Sequence, residues 1–184
     1  TLGALAREAF LVNRLFPRNR GLLRERYLDR DRTLPFDVEQ PAAAALLVRR
    51  EVFDAVGGFD PAFAPAWFED VDLCAKVLES GYRIRFVPAA RASHVGGMAM
   101  RALPYDDYLP LYTRNLLLYL RRHAGPATRA GARLVLLAGA LLRLSLLPFV
   151  RGDHARPEAA RAYLRVARGL LGGGFASALL PREA

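Results

Sequence analysis

The chain has 184 residues, 53% of them apolar, and a formal net charge of +9. This length and apolar content suffice for a hydrophobic core, while a single cysteine, Cys74, excludes an internal disulfide and a cysteine metal cluster. The positive charge favours anionic partners, but nucleic-acid binding has only the charge in its favour and no recognition motif, so no nucleic-acid partner is expected. No apolar run reaches the ~20 residues that span a bilayer.

Residues 1–34 predict one or two short helices and a loop, because their short apolar runs are broken by proline and glycine. A continuous run of small apolar residues, 42–48, predicts a buried strand. The alternating segment 82–87 predicts a second strand, and 91–95 a third, shorter one.

The segment 69–80 predicts a helix, because acidic residues occupy its first turn and Gly81 follows its end. After Pro104, apolar residues recur at helical spacing as far as His123, and two further helices are predicted at 127–147 and 157–171. Strands and helices alternate first and helices follow alone, so the sequence predicts an α/β half-domain with an α-helical tail.

Three carboxylates, Glu69, Asp70 and Asp72, lie at the start of the predicted helix, directly after the aromatic pair Trp67 and Phe68. Acidic residues in a first turn commonly stabilise the helix and nothing more. Here, however, a Gly-Gly turn and a proline-containing loop bring an aromatic pair beside the acids, an arrangement that can hold a loop over a pocket. An aromatic face next to a carboxylate is also a common way to bind a sugar.

The order of motifs over residues 40–125 resembles the second half of family 2 glycosyltransferases, in particular their rhamnosyltransferase-like bacterial members. The matching stretches read Gly-Gly-Phe-Asp-Pro-Ala-Phe, Trp-Phe-Glu-Asp-Val-Asp-Leu-Cys, Gly-Tyr-Arg-Ile and His-Val-Gly-Gly. The resemblance implies the acceptor-side half of a GT-A domain at 1–125, followed by a basic amphipathic tail at 126–184. It also implies inverting sugar transfer from a nucleotide-sugar donor to a cell-envelope glycan or a lipid-linked acceptor.

Roles for individual residues follow from the same resemblance. Asp70 would be the general base that deprotonates the acceptor hydroxyl, and Glu69 would orient it or bind acceptor hydroxyls. The acceptor wall would be formed by Trp67, Phe68 and Asp60. His94 would join the metal and diphosphate site, although a lone histidine after a strand is more often structural.

The resemblance places the divalent metal, Mg²⁺ or Mn²⁺, mainly on an N-terminal nucleotide-binding half. Because the chain starts at Thr1 and contains no Asp-x-Asp string after an apolar strand, we expect a piece of a longer protein that is inactive alone. Ala43 also stands near a position where the family usually has glycine, which leaves less room for a close approach.

The tail predicts two basic helices, with Arg129, Arg133, Arg143 and Arg151 on one side of the first. One interpretation is a packed helix pair with solvated arginines. The other is a pair of interfacial helices on an anionic membrane surface, at the inner face of the cell membrane of a cytoplasmic enzyme. A non-catalytic remnant that binds a membrane or a protein partner is the alternative function.

Overall fold

The computed structural model describes residues 1–95, 103–149 and 155–175. Backbone contacts divide the chain into two compact units. One comprises Thr1–Arg30 with the described part of Ala99–Ala184, and the other comprises the described part of Asp31–Met98. These units do not follow the sequence boundary between residues 125 and 126, and the domain limits 1–125 and 126–184 stay a prediction.

The α/β prediction is wrong, because the described residues are mostly helical. The strands among them are β1 (Phe36–Val38) and β2 (Ile84–Phe86), which pair antiparallel with Asp37 opposite Arg85. Two antiparallel strands of three residues each are not the sheet of an α/β nucleotide-binding fold, so the fold assigned as half of a GT-A domain is corrected to a mostly helical one.

The predicted strand at 42–48 fails for a physical reason. Its alanines form a short 3₁₀ turn, Ala43–Ala45, and are exposed, while Leu47 is 98% exposed. A strand is stable only when neighbouring strands satisfy its backbone groups, and no described strand lies beside this run. The segment 91–95 likewise forms no strand, and the segment 82–87 is a strand only at Ile84–Phe86.

The helices account for most of the described residues, and the helices predicted at 69–80, 127–147 and 157–171 are confirmed to within a few residues. The α-helices are α1 (Leu2–Ala9), α2 (Val12–Leu15), α3 (Arg20–Glu25), α4 (Arg50–Ala55), α5 (Glu69–Glu79), α6 (Tyr105–His123), α7 (Pro126–Leu146) and α8 (Arg156–Arg168). A π-helical turn, Gly169–Gly173, follows α8.

In the larger unit, α6, α7 and α8 pack together and α1 packs on α7. The buried residues at the α7–α8 contact are Ala140, Val166 and Leu170, and partly buried leucines and Tyr163 surround them. A small residue on α7 also permits the close approach of α1, since Gly139 lies directly against Ala9. None of the described helices is both long enough and apolar enough to cross a membrane.

The arginines of the tail bind other parts of this unit. Arg143 donates to the backbone oxygens of Ala9 and Glu8, the latter at 2.7 Å, and so satisfies carbonyls at the C-terminal end of α1. Arg133 donates to the backbone oxygen of Leu170 at 2.9 Å. These contacts agree with packed helices in the tail but not with the solvated arginines of that interpretation. Arg151 lies outside the described residues.

A proline inside α6 explains one more arginine contact. Pro110 has no backbone N–H, so it cannot donate to the carbonyl oxygen of Asp106 four residues earlier. Arg165 of α8 donates to that oxygen instead and also pairs with Asp107 at 2.7 Å, while Arg161 pairs with Asp106 at 2.7 Å. The acidic first turn of α6 is therefore neutralised from α8.

The smaller unit has its own core beneath α5. Val52, Leu73 and Val77 are buried there, and Phe53 and Ile84 pack against them. Gly81 ends α5 with a positive φ of 83°, a conformation that glycine adopts without steric cost. The start of α5, where the predicted carboxylates lie, is held by this core.

Candidate functional site

Two aromatic residues in left-handed backbone conformations set the start of α5. Trp67 and Phe68 have φ values of 70° and 73°, and no side chain caps the helix. Such a conformation costs a bulky residue on the order of 1–3 kcal/mol, so it persists only where the surroundings impose it. The turn directs the chain abruptly into Glu69 and Asp70, whose carboxylates occupy the positive end of the helix dipole.

Asp70 is held by backbone groups on both of its carboxylate oxygens. Oδ1 accepts a hydrogen bond from the amide of Val71 at 2.8 Å, and Oδ2 accepts one from the amide of Ala43 at 3.1 Å. An ionised carboxylate offers about four lone-pair positions, so each oxygen can still accept a further donor. The turn at Ala43, in the segment predicted as a strand, therefore helps to fix the orientation of the predicted base.

Glu69 extends into a cleft of about 310 Å³. Its Oε2 atom is buried and has no hydrogen-bond partner, which leaves an acceptor unsatisfied. The other lining residues are Phe59, Asp60, Pro61, Phe63, Ala64 and Pro65. The cleft is thus mainly apolar, with the carboxylates of Asp60 and Glu69 at its wall, and Asp70 is not among the residues that line it.

The other predicted acceptor residues are placed differently. Asp60 lines the cleft, but its Oδ1 also accepts from the amide of Ala62 at 2.7 Å and caps the 3₁₀ turn Pro61–Phe63. Trp67 and Phe68 are half-buried and are not among the residues that line the cleft.

The aromatic residues that line the cleft are instead Phe59 and Phe63, for which no role was predicted. Phe63 is fully buried, whereas Phe59 is 47% exposed and packs edge-on against Phe53 at 5.6 Å. Both lie in the loop after the Gly-Gly turn, and the two prolines of that loop were the signal that could have identified them.

The third carboxylate of the motif is structural. Asp72 is 1% exposed, and its Oδ2 lies 3.0 Å from Nζ of Lys76, the single lysine of the chain. Lys76 in turn donates to the backbone oxygen of Gly58 at 2.7 Å. This connection holds the Gly-Gly turn, and with it the start of the cleft-lining loop, against α5.

Cys74 lies one helical turn after Asp70 and is buried. Burial and, to a smaller extent, the negative charge of Asp70 raise the pKa of its thiol to about 11. The thiol is therefore neutral at ordinary pH and behaves as a small apolar core residue. Nothing in its position makes it a nucleophile.

His94 is exposed in the segment without regular secondary structure after β2. Across residues 1–95, 103–149 and 155–175, no three His, Cys, Asp or Glu side chains come together in a way that could hold a metal ion. The structure therefore does not bring His94 into a metal site with Glu69 or Asp70. Within these residues, a divalent cation finds no set of ligands that fits it.

Comparisons with known proteins assign no family to the chain. No family model matches it, and no solved structure matches it significantly. One curated relative, the uncharacterized protein y4gI of Sinorhizobium fredii, is 44% identical over 52 residues, a stretch that covers 28% of this chain. The same stretch covers 6% of that protein, so the two share one short region and the comparison names no activity.

Proposed function

We propose that this chain contributes the acceptor side of an inverting glycosyltransferase that uses a nucleotide-sugar donor. The observation that carries the proposal is the pair of adjacent carboxylates at the start of α5. Asp70 is fixed by two backbone amides, and the adjacent Glu69 lines a cleft with mainly apolar walls. A sugar has apolar ring faces and hydroxyl donors, which such a cleft can bind. The motif resemblance to family 2 glycosyltransferases supports the same function.

In this proposal Asp70 removes the proton of an acceptor hydroxyl while the hydroxyl oxygen attacks the anomeric carbon of the donor. The bond from that carbon to the nucleoside diphosphate breaks on the opposite face, and its electron pair leaves with the diphosphate, so the configuration inverts. Glu69 accepts a hydrogen bond from a neighbouring acceptor hydroxyl. An alcohol is a weak nucleophile, and a positioned base typically contributes 10²–10⁴-fold.

The donor, with a divalent metal ion, Mg²⁺ or Mn²⁺, is assigned mainly to an N-terminal nucleotide-binding half outside these 184 residues. The described residues do not fit the metal, so no step of the proposed reaction passes through it here. The acceptor is proposed to be a cell-envelope glycan or a lipid-linked sugar. The proposed location is cytoplasmic, peripheral at the inner face of the cell membrane.

The test is a transfer assay on a longer protein that contains both this chain and the donor half, with a panel of nucleoside-diphosphate hexoses. Asp70→Asn is expected to lower kcat by at least ~10²-fold with little change in donor binding. Glu69→Gln is expected to raise KM for the acceptor more than it lowers kcat. Asp54→Asn, a matched control in an exposed ion pair, should leave both constants unchanged. Transfer by Asp70→Asn within a few-fold of the parent rejects the assignment.

A second candidate function is a non-catalytic remnant that binds a membrane or a protein partner. The observation in its favour is an exposed apolar side of α7, which includes Leu134 at 69% and Leu141 at 52% exposure. Under this alternative, no nucleotide sugar is consumed by any longer form of the protein, and Asp70→Asn changes no measured property except local stability.

A further inference from the structure

The arginines of α7 lie on the side of the helix that packs against the rest of its unit, together with core residues such as Leu136. At 100° per residue, Arg129, Arg133 and Arg143 fall within an arc of roughly 80°. The buried residues of α7, including Gly139 and Ala140, lie on the same side. The arginine side therefore faces the rest of the unit, where Arg133 and Arg143 donate to backbone oxygens.

The opposite side of α7 is exposed and apolar. We call it the α7 stripe, and it consists of Ala127, Ala130, Leu134, Ala138 and Leu141, all of them exposed. These positions also fall within an arc of roughly 80°. Phe149, three residues after the helix, is 83% exposed. Soluble proteins rarely leave a continuous apolar surface uncovered, so the stripe indicates a binding surface.

The neighbouring helix extends this surface. Leu2 of α1 packs against Gly131 of α7 and is itself 38% exposed. With 21 residues, α7 is roughly 30 Å long, and the stripe follows most of that length. A long surface of leucine and alanine suits contact with a lipid surface better than binding of a small ligand, which needs a concave pocket.

We propose that the α7 stripe docks on an anionic lipid surface. The charge of the molecule favours this occupant: α7 contains no acidic residue, and the chain carries a net charge of +9. Asp106 and Asp107 at the start of α6 are paired with arginines of α8. A second copy of this chain would bring two strongly positive molecules together, whereas an anionic surface attracts one.

This mode differs from binding driven by an arginine face. Arg133 and Arg143 donate hydrogen bonds to backbone oxygens within the unit. The apolar residues of the stripe therefore make the contact with the lipid, and the overall positive charge adds attraction at long range. The inference does not depend on sugar transfer. The two proposals are tested separately. Asp70→Asn tests sugar transfer and should leave lipid binding unchanged, whereas the stripe variants test lipid binding.

The experiment is co-sedimentation of the 184-residue chain with vesicles of equal phosphatidylglycerol and phosphatidylcholine, and with pure phosphatidylcholine. Leu134→Gln/Leu141→Gln should weaken binding to the anionic vesicles at least ~10-fold, because two exposed leucines lose their contact with the lipid. Ala138→Glu, a single substitution by another good helix former, should do the same. The matched control is Leu34→Gln/Leu47→Gln, which changes leucines that are 60% and 98% exposed in the other unit, and should bind like the parent.

Binding to the anionic vesicles that weakens as salt rises, and that both stripe variants reduce, supports the proposal. No binding by the parent overturns it. Equal losses in the stripe variants and the control overturn it as well, because they would mean non-specific adsorption. If analytical ultracentrifugation shows a dimer that the stripe variants dissociate, and vesicles do not bind, then the stripe is a contact between copies and the lipid proposal is rejected.

Discussion

Nζ of Lys76 lies 3.0 Å from the buried carboxylate of Asp72, and the same ammonium group donates to the backbone oxygen of Gly58 at 2.7 Å. One side chain thus joins the interior of α5 to the Gly-Gly turn that begins the cleft-lining loop. Asp72 is 1% exposed, so its carboxylate is almost wholly removed from water. Removing one member of a buried ion pair leaves the other charge uncompensated, which is more costly than removing both.

Lys76→Met is therefore expected to destabilise the smaller unit by about 3 kcal/mol, and Lys76→Met with Asp72→Asn by clearly less than the sum of the two single changes. Urea unfolding followed by fluorescence measures this, since Trp67, the one tryptophan of the chain, lies in the same unit. Arg50→Met removes an exposed partner of Asp54 and should change stability by less than about 0.5 kcal/mol. Equal effects of Lys76→Met and Arg50→Met would contradict the assigned role.

The buried thiol of Cys74 leads to a prediction about reactivity. Burial raises the pKa of Cys74 to about 11, so the folded chain holds far less thiolate at pH 8 than the unfolded chain. A thiol reagent should react at least ~100-fold more slowly with the native chain than with the chain in concentrated urea. Similar rates in the two states would mean that the thiol is accessible.

The raised pKa of Cys74 also determines how the free energy of unfolding changes with pH. Because the folded state raises the pKa of the thiol, ionisation favours the unfolded state, and the contribution of Cys74 is complete below its unfolded pKa. The free energy of unfolding should therefore fall as pH rises from about 9 to about 11. Cys74→Ala, measured over the same pH range, should lack this part of the decline. Parallel curves for the two proteins would rule out the assignment.

Two glycines of α7 give a paired test of the contact between α1 and α7. A Cβ added at Gly139 would lie 2.8 Å from Cβ and 3.1 Å from the backbone oxygen of Ala9, whereas one at Gly131 would lie 3.0 Å from the end of the Leu2 side chain. Glycine to alanine gains up to about 1 kcal/mol within a helix. Gly131→Ala should keep most of that gain, because a leucine side chain can rotate away.

Gly139→Ala should instead destabilise by about 1–3 kcal/mol, because the backbone of α1 has to move. Thermal unfolding followed by circular dichroism compares the two variants directly. A stabilising effect at both positions would show that α1 is not packed against α7 as described. A loss at both would show that Leu2 is held as rigidly as the backbone of Ala9.

The candidate site was partly predictable from local sequence, because its chemistry lies in one short segment. Glu69, Asp70 and Asp72 were recognised as a carboxylate motif, but their separate environments were not. Whether a carboxylate enters a cleft, binds backbone amides or pairs with a lysine depends on residues far along the chain, such as Ala43, which is 27 residues from Asp70. The sequence likewise did not indicate that Phe59 and Phe63, rather than Trp67 and Phe68, line the cleft.

The sequence by itself determined the elements whose stabilising contacts are local. The bounds of α5 follow from acids in its first turn and Gly81 at its end, and α7 and α8 follow from apolar residues at helical spacing. Only the tertiary structure determined that 42–48 is not a strand, because a strand is stable only where another strand pairs with it. It also decided which side of α7 faces inward. Backbone carbonyls at the end of α1 and in the turn after α8 accept hydrogen bonds from Arg143 and Arg133. The side of α7 that carries these arginines therefore packs inside the unit, and Leu134 and Leu141 on the opposite side are exposed.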